Sequence, residues 1–448
     1  MANLQARADL ALMNNLKSFQ RWQPYILLIK PVKLFSVFGI LMAMATVTAR
    51  AATNPIDALA QDKRVVRALA WLSKNLDWVT QQQIAITEIP APEFQESARA
   101  AYIAKLFTSS GLKVRTDSAG NVIGERAGSN SKDVILIVAH LDTVFSADTD
   151  VHVKTAGTRL EAPGVSDDGA GLAALVATAR ALEQSRVKTQ MTIALAADVG
   201  EEGEGNLRGI RQLVDSYGAR LRAVIALDGA GTDYTTTVGL ASRRLEIQVT
   251  GPGGHSWSDF GAPNPITALA RGIVEFSRMR VPSDPRTTFN FGMVEGGTSV
   301  NSIPAQASLK VDLRSESGDE LAQLETDLRK TFSAAVDAEM AAAVPGSEKL
   351  NLKFSVIGVR PGGKLPDDSP LLAAIENADR YLGNRARLER SSTDANYPLS
   401  LGIPAIAIGG GGQGGGAHSL AEWYDPTGRE LGLKRIFLTI LAFAGVQS

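Results

Sequence analysis

The chain carries only four histidines and no cysteine, so a histidine placed beside carboxylates stands out. His140 precedes Asp142 by two positions in "AHLDTV". Asp167 and Asp168 are neighbours in "GVSDDGAG", Glu201 and Glu202 in "GEEGEG". Asp228 stands before glycine in "ALDG", and His418 follows three glycines and an alanine in "GGGAHS". Imidazole and carboxylate can move protons or hold a divalent cation. With no thiolate available, any metal must rest on His, Asp and Glu. Each fragment also has a plain structural use. His-x-Asp caps loops, Ser-Asp-Asp-Gly starts helices, paired glutamates sit in solvated loops and Asp-Gly makes turns. Together the fragments are harder to dismiss.

The elements that must position these groups are legible nearby. Four short apolar runs read as strands buried on both faces: "VILIVA" (134–139), "MTIALAA" (191–197), "AVIAL" (223–227) and "AIAIG" (405–409). A continuous apolar run of this length is the pattern of a parallel sheet interior. Helical spacing lies between several of them, notably in "GAGLAALVATARALEQ" from Gly169, and also over 57–79 and 95–110, with "IPAP" breaking the chain between these last two. Alternating strand and helix predicts an α/β unit, a mostly parallel sheet with helices on both faces. His140, Glu201, Glu202, Asp228 and His418 all follow the C-terminal ends of those strands, the edge where open α/β sheets place ligands.

Between about 243 and 359 the texture changes. "RRLEIQVTG" and "QASLKVDLR" alternate apolar and polar residues, the pattern of half-exposed strands, and amphipathic helices are expected over about 265–279 and 318–338. The order β-α-β-β-α-β predicts a ferredoxin-like α+β domain inserted in the larger one. The organisation is thus an export signal over 1–51, catalytic parts over 52–242 and 360–448, and the insert over 243–359. The signal is read from Lys30 and Lys33, the apolar run 34–48 and small residues at Ala49 and Ala51. It implies a periplasmic or secreted protein, with a retained anchor as the alternative. The chain's 448 residues, 44% hydrophobic, suffice for two cores. A formal net charge of −1 gives no global basic field, so no nucleic-acid partner is expected. No G-x-S-x-G elbow is present, which disfavours a serine hydrolase.

In their order, "HLDTV", "GVSDDGAG", "GEEGEG", "ALDG", "GPGGHS" and "GGGAHS" resemble the motifs of the co-catalytic zinc exopeptidase and amidohydrolase family. That family includes glutamate carboxypeptidase, peptidase T, aminoacylase and acetylornithine deacetylase. The resemblance spans nearly everything after the leader. It implies a zinc exopeptidase-like catalytic domain interrupted by a lid domain that also dimerises, hence a homodimer through the insert. It assigns His140, Asp167 and Asp228 to one Zn2+ and Asp167, Glu202 and His418 to a second, Asp167 bridging, with Co2+ or Mn2+ as alternative metals. It also implies a cis peptide after Asp167. Asp142 would accept the free ring N–H of His140, and Glu201 would be the general base.

The resemblance further implies that His255, in the insert, stabilises an oxyanion, often from the partner subunit. Asn301 and Arg314 match positions lining the substrate pocket, and Arg360 in "GVRPGG" matches an arginine that holds a substrate carboxylate. Glu422 is expected either to support His418 or to cap a helix. The glycines 409–416 lack the GK[ST] of a phosphate loop and are expected to bring backbone close to substrate. Two departures stand out: Gly169 occupies a position that is often lysine, and the third-strand ligand is Asp228, where carboxypeptidase and deacylase members tend to carry glutamate. The second favours an exopeptidase of the aminopeptidase, dipeptidase or tripeptidase type on short peptides. A carboxypeptidase or N-acyl-amino-acid amidohydrolase is the runner-up.

Overall fold

The structure is a computed structural model and describes residues 54–447; the expected leader lies outside them. A nine-stranded sheet organises the larger unit. Its four central strands, in spatial order Met191–Asp198, Asn130–His140, Leu221–Leu227 and Ala405–Ile408, run parallel. They are the four apolar runs anticipated from sequence. Antiparallel strands flank them, Val122–Arg126 on one side and Tyr234–Gly239 on the other. The central side chains are fully buried, Ile135, Leu136, Ile137, Leu195, Ile225 and Ile406 among them. Each contributes about 1.5–3 kcal/mol of burial, which is why these runs tolerate no polar alternation.

Helices cover the sheet. Gly169–Ser185 is buried along nearly its whole length, as its alanines and leucines require, and packs beside Lys63–Lys74 and Leu76–Thr87. The apolar period over 57–79 is thus divided into separate helices by Asp62 and Asn75 at the junctions. Parallel register makes the strands end together: His140 faces Asp198, the Leu141 N–H donates to the Asp198 carbonyl at 2.7 Å, and the Asp228 N–H donates to that of Ile408 at 3.0 Å. One edge therefore collects the loops that follow these four strands, with His140, Glu201, Glu202, Asp228 and His418 on them.

The inserted residues form a second, four-stranded antiparallel sheet in the order Thr287–Gly296, Gln306–Ser315, Ala241–Thr250, Asn351–Arg360. Helices Pro265–Ser277 and Gly318–Ala342 pack on it. Alternation along Ala241–Thr250 sends Leu245, Ile247 and Val249 into a separate core with Phe276 and Phe332. The chain enters and leaves this unit side by side, since Ser242 pairs with Arg360. The β-α-β-β-α-β order anticipated from sequence is observed.

Candidate active site

The loop after the first ligand strand places His140 and Asp142 in the interior, both essentially unexposed. His140 Nδ1 lies 3.0 Å from the backbone carbonyl oxygen of Asp142. A carbonyl can only accept, so Nδ1 donates to it, and Nε2 is left to face the carboxylates of the site. Nε2 donates to Asp167 Oδ1 at 3.0 Å. This corrects the expected partner of the ring: the Asp142 carboxylate is 3.8 Å from Nδ1 and serves another purpose. Its two oxygens accept the N–H groups of Glu201 at 3.1 Å and Glu202 at 2.8 Å. Asp142 therefore binds the first loop to the second.

Asp167 ends a turn that is held from outside. The N–H groups of Gly164, Ser166 and Asp167 each donate to the Glu422 carboxylate at 2.8 Å. Glu422 is thus neither the support of His418 nor a helix cap; it shapes the loop that presents Asp167. The Asp167–Asp168 peptide is cis, as expected. Asp168 caps helix Gly169–Ser185 and accepts N–H groups from His140, Gly171 and Gly229 at 3.0–3.1 Å. One buried carboxylate so fixes three loop ends. The helix start at "SDDG" was legible in the sequence; the bonds of Asp168 to the His140 and Gly229 N–H groups were not.

His418 closes the constellation from the fourth strand. Its backbone takes a left-handed φ of 64°, and Nε2 reaches Glu202 Oε1 at 2.7 Å and Asp167 Oδ2 at 3.2 Å. The glycines before it approach protein, not open pocket: a Cβ on Gly410 would stand 2.6 Å from the Ala170 carbonyl oxygen. Smallness lets Gly410 lie against the start of helix Gly169–Ser185, Gly409 against Ala230 and Gly411 against Arg429, so close approach here is to protein where approach to substrate was expected. Ligand atoms of His140, Asp167 and Glu202 all lie within 4.8 Å of one another.

The charge balance of the site is strongly acidic. Burial, then the charge of Asp167, pushes the Asp228 carboxyl up to about 7. Burial likewise lifts Glu201 well above the usual carboxylate range against the pull of Arg360. Behind them Asp198 and Asp394 are buried, both oxygens of the first and one of the second without a hydrogen-bond partner. The Asp167 and Glu202 hydrogen bonds raise His418 to about 10. His140 and His418 hold Asp167 well below the usual range although burial opposes this. A set of two imidazoles and three carboxylates, His140 and Glu202 buried and His418 exposed at the rim, fits divalent metal in its donor chemistry.

The remaining candidates are distributed less tightly. Arg360 is at the site, 5% exposed. Its Nη1 meets Glu201 Oε1 at 2.9 Å and Ser392 Oγ at 3.1 Å, and its Nη2 donates to the Glu201 carbonyl. In this conformation its fork is committed to the candidate base and not to an open carboxylate subsite. Arg314 pairs with Asp312 at 2.6 Å and lines a cavity of about 670 Å³ beside Arg286, Lys364 and Arg390. His255 and Asn301 are both exposed on the insert; the His255 ring accepts the N–H groups of Trp257 and Ser258, and the Asn301 carbonyl accepts that of Ser256 at 3.0 Å.

The fold and these loops define a metal-dependent peptidase or amidohydrolase. Residues 136–441 match peptidase family M20/M25/M40, and the chain belongs to that family. It is 27% identical over 337 residues to carboxypeptidase G2 of Pseudomonas sp. strain RS-16, covering 69% of this chain and 75% of that one. Among solved structures it resembles aminopeptidase PepT of Bacillus cereus (TM-score 0.65, 20% identity, 83% of this chain and 99% of that one). It also resembles the YXEP protein of Bacillus subtilis, described as a dinuclear metal binding peptidase (TM-score 0.58, 18% identity, 83% and 100%).

Proposed function

We propose that this protein is an exopeptidase that uses two divalent metals, zinc foremost with cobalt or manganese as alternatives, to remove residues from short peptides. The reading is of the aminopeptidase, dipeptidase or tripeptidase type. The observation that carries it is the chain of direct contacts from His140 to Asp167, from Asp167 to His418 and from His418 to Glu202, with Glu201 next in sequence. His140, Asp167 and Asp228 would hold one metal, and Asp167, Glu202 and His418 the other. When bound, such metals supply Lewis acidity that acidifies water and polarises a carbonyl.

The chain's own groups supply the proton traffic. Glu201, lifted by burial, takes a proton from the attacking water and delivers it to the leaving amine. Its backbone N–H is fixed by Asp142, so the carboxyl is aimed before substrate arrives. Arg360 faces it at 2.9 Å and offsets its charge. His255 is proposed to stabilise the oxyanion. Its exposed place on the insert, among Trp257 at 86%, Phe260 at 85% and fully open Val300, supports delivery from a second copy in a homodimer. The leader supports a periplasmic or secreted location.

The deciding experiment is mass-spectrometric digestion of di- and tripeptides with free and blocked N-termini, alongside N-acyl amino acids. Cleavage restricted to free N-termini supports the reading. Turnover of N-acyl amino acids instead moves the assignment to the carboxypeptidase or amidohydrolase branch.

A further inference from the structure

The loop 200–206 carries the proposed base and one proposed metal ligand, yet its composition gives it little rigidity. Gly200, Gly203 and Gly205 punctuate it, and the first two lie at φ 68° and 43°. Glycine leaves the backbone the most freedom to lose on ordering, so such a loop keeps one conformation only if its neighbours impose it. On one flank the catalytic unit does so: Asp142 takes the N–H groups of Glu201 and Glu202, and Glu93 accepts that of Gly205 at 2.9 Å.

The other flank is held by the insert. Arg244, on strand Ala241–Thr250, donates from Nη1 to the Gly203 carbonyl. Its Nε reaches Asp312 Oδ1 at 3.3 Å on the neighbouring strand, so the guanidinium is braced from behind. Lys310 Nζ pairs with Glu204 Oε1 at 2.6 Å, and the Val359 N–H donates to Asn206 Oδ1 at 2.9 Å. Three strands of the inserted sheet thus reach consecutive parts of one catalytic loop.

We propose that Arg244 is a positioning residue for Glu201 and Glu202, through which the inserted sheet holds the base-bearing loop in its working place. Lys310 is a weaker second tie. The ranking follows from environment: a largely buried guanidinium bonded to a carbonyl outweighs an ion pair that is half in solvent. This assignment rests on the reading of Glu201 as base and Glu202 as ligand. The attachment of the loop, however, is measurable without any substrate.

The test is hydrogen exchange of the full chain, with turnover of whichever short peptide the wild type cleaves, in R244M, R244K and K310M. In R244M, amides between 200 and 206 exchange roughly tenfold faster or more, while those of strand 130–140 keep wild-type protection. Turnover falls by the same order, with KM within about twofold of wild type. R244K recovers part of both effects, and K310M shifts them less than about threefold. Wild-type exchange across the loop in R244M overturns the proposal, as does a loosened loop with undiminished kcat. If R244M does not fold, D312N removes the brace and keeps Arg244; unchanged loop exchange there has the same consequence. If the wild type cleaves no peptide, the proposed function fails while the exchange data still judge the attachment.

Discussion

At the scale of single residues, the site separates groups that act from groups that aim them. Glu201→Gln keeps the shape and the backbone bonds of the loop but removes the proton acceptor. Metal content measured by plasma emission should be unchanged and turnover should fall about 10²- to 10⁴-fold; undiminished turnover would remove Glu201 from its role. Glu422→Ala strips the acceptor from three N–H groups around Asp167. It should cost about 3 kcal/mol in denaturant unfolding, since charged acceptors lie at the high end for buried hydrogen bonds, and weaken metal binding together with stability. His418 is held protonated in the metal-free protein, its pKa raised to about 10 by Asp167 and Glu202. A ligand imidazole must be neutral, so zinc binding should release protons at pH 7–8 and tighten as pH rises. Calorimetry in buffers of different ionisation enthalpy reads this directly, and a buffer-independent heat would contradict it.

At the scale of elements, what could be read from sequence depended on whether an element's signal is local. The four central strands were legible because burial on both faces writes an unbroken apolar run, and the insert because its strands alternate. The C-terminal edge followed from the parallel arrangement, and with it the convergence of His140, Glu202, Asp228 and His418. Partner choice was not legible where several carboxylates compete for one cation: nothing in "GVRPGG" says that Arg360 will meet Glu201. Nor could the acceptor of the His140 ring be chosen between the carbonyl and the carboxylate of the same Asp142. The glycines before His418 misled for a related reason, because a missing Cβ signals close approach without naming what approaches. Gly410→Ala tests the corrected view. Its methyl group meets backbone, which cannot move aside as a flexible side chain would, so the variant should lose about 1–3 kcal/mol of stability. Full stability would mean that the segment has room it does not show.

At the scale of the whole molecule, the insert carries His255 on an exposed surface, its ring bonded only to its own loop among the described contacts. If His255 serves the site of a second copy, an inactive Glu201→Gln chain and an inactive His255→Ala chain should complement. Equimolar mixing after dissociation and reassembly would then restore roughly a quarter of wild-type turnover, because half the dimers are mixed and each has one intact site. No recovery in a mixture shown to contain mixed dimers would place His255 in its own chain's site or outside catalysis. The central claim is simpler, that six distant side chains make one metal-holding, proton-moving pocket. Anomalous diffraction at the zinc edge from crystals of the zinc-loaded protein tests it most directly. The account predicts two peaks, both against Asp167, one also against His140 and Asp228 and the other against Glu202 and His418. Absence of density there, or zinc held by other residues, would contradict it.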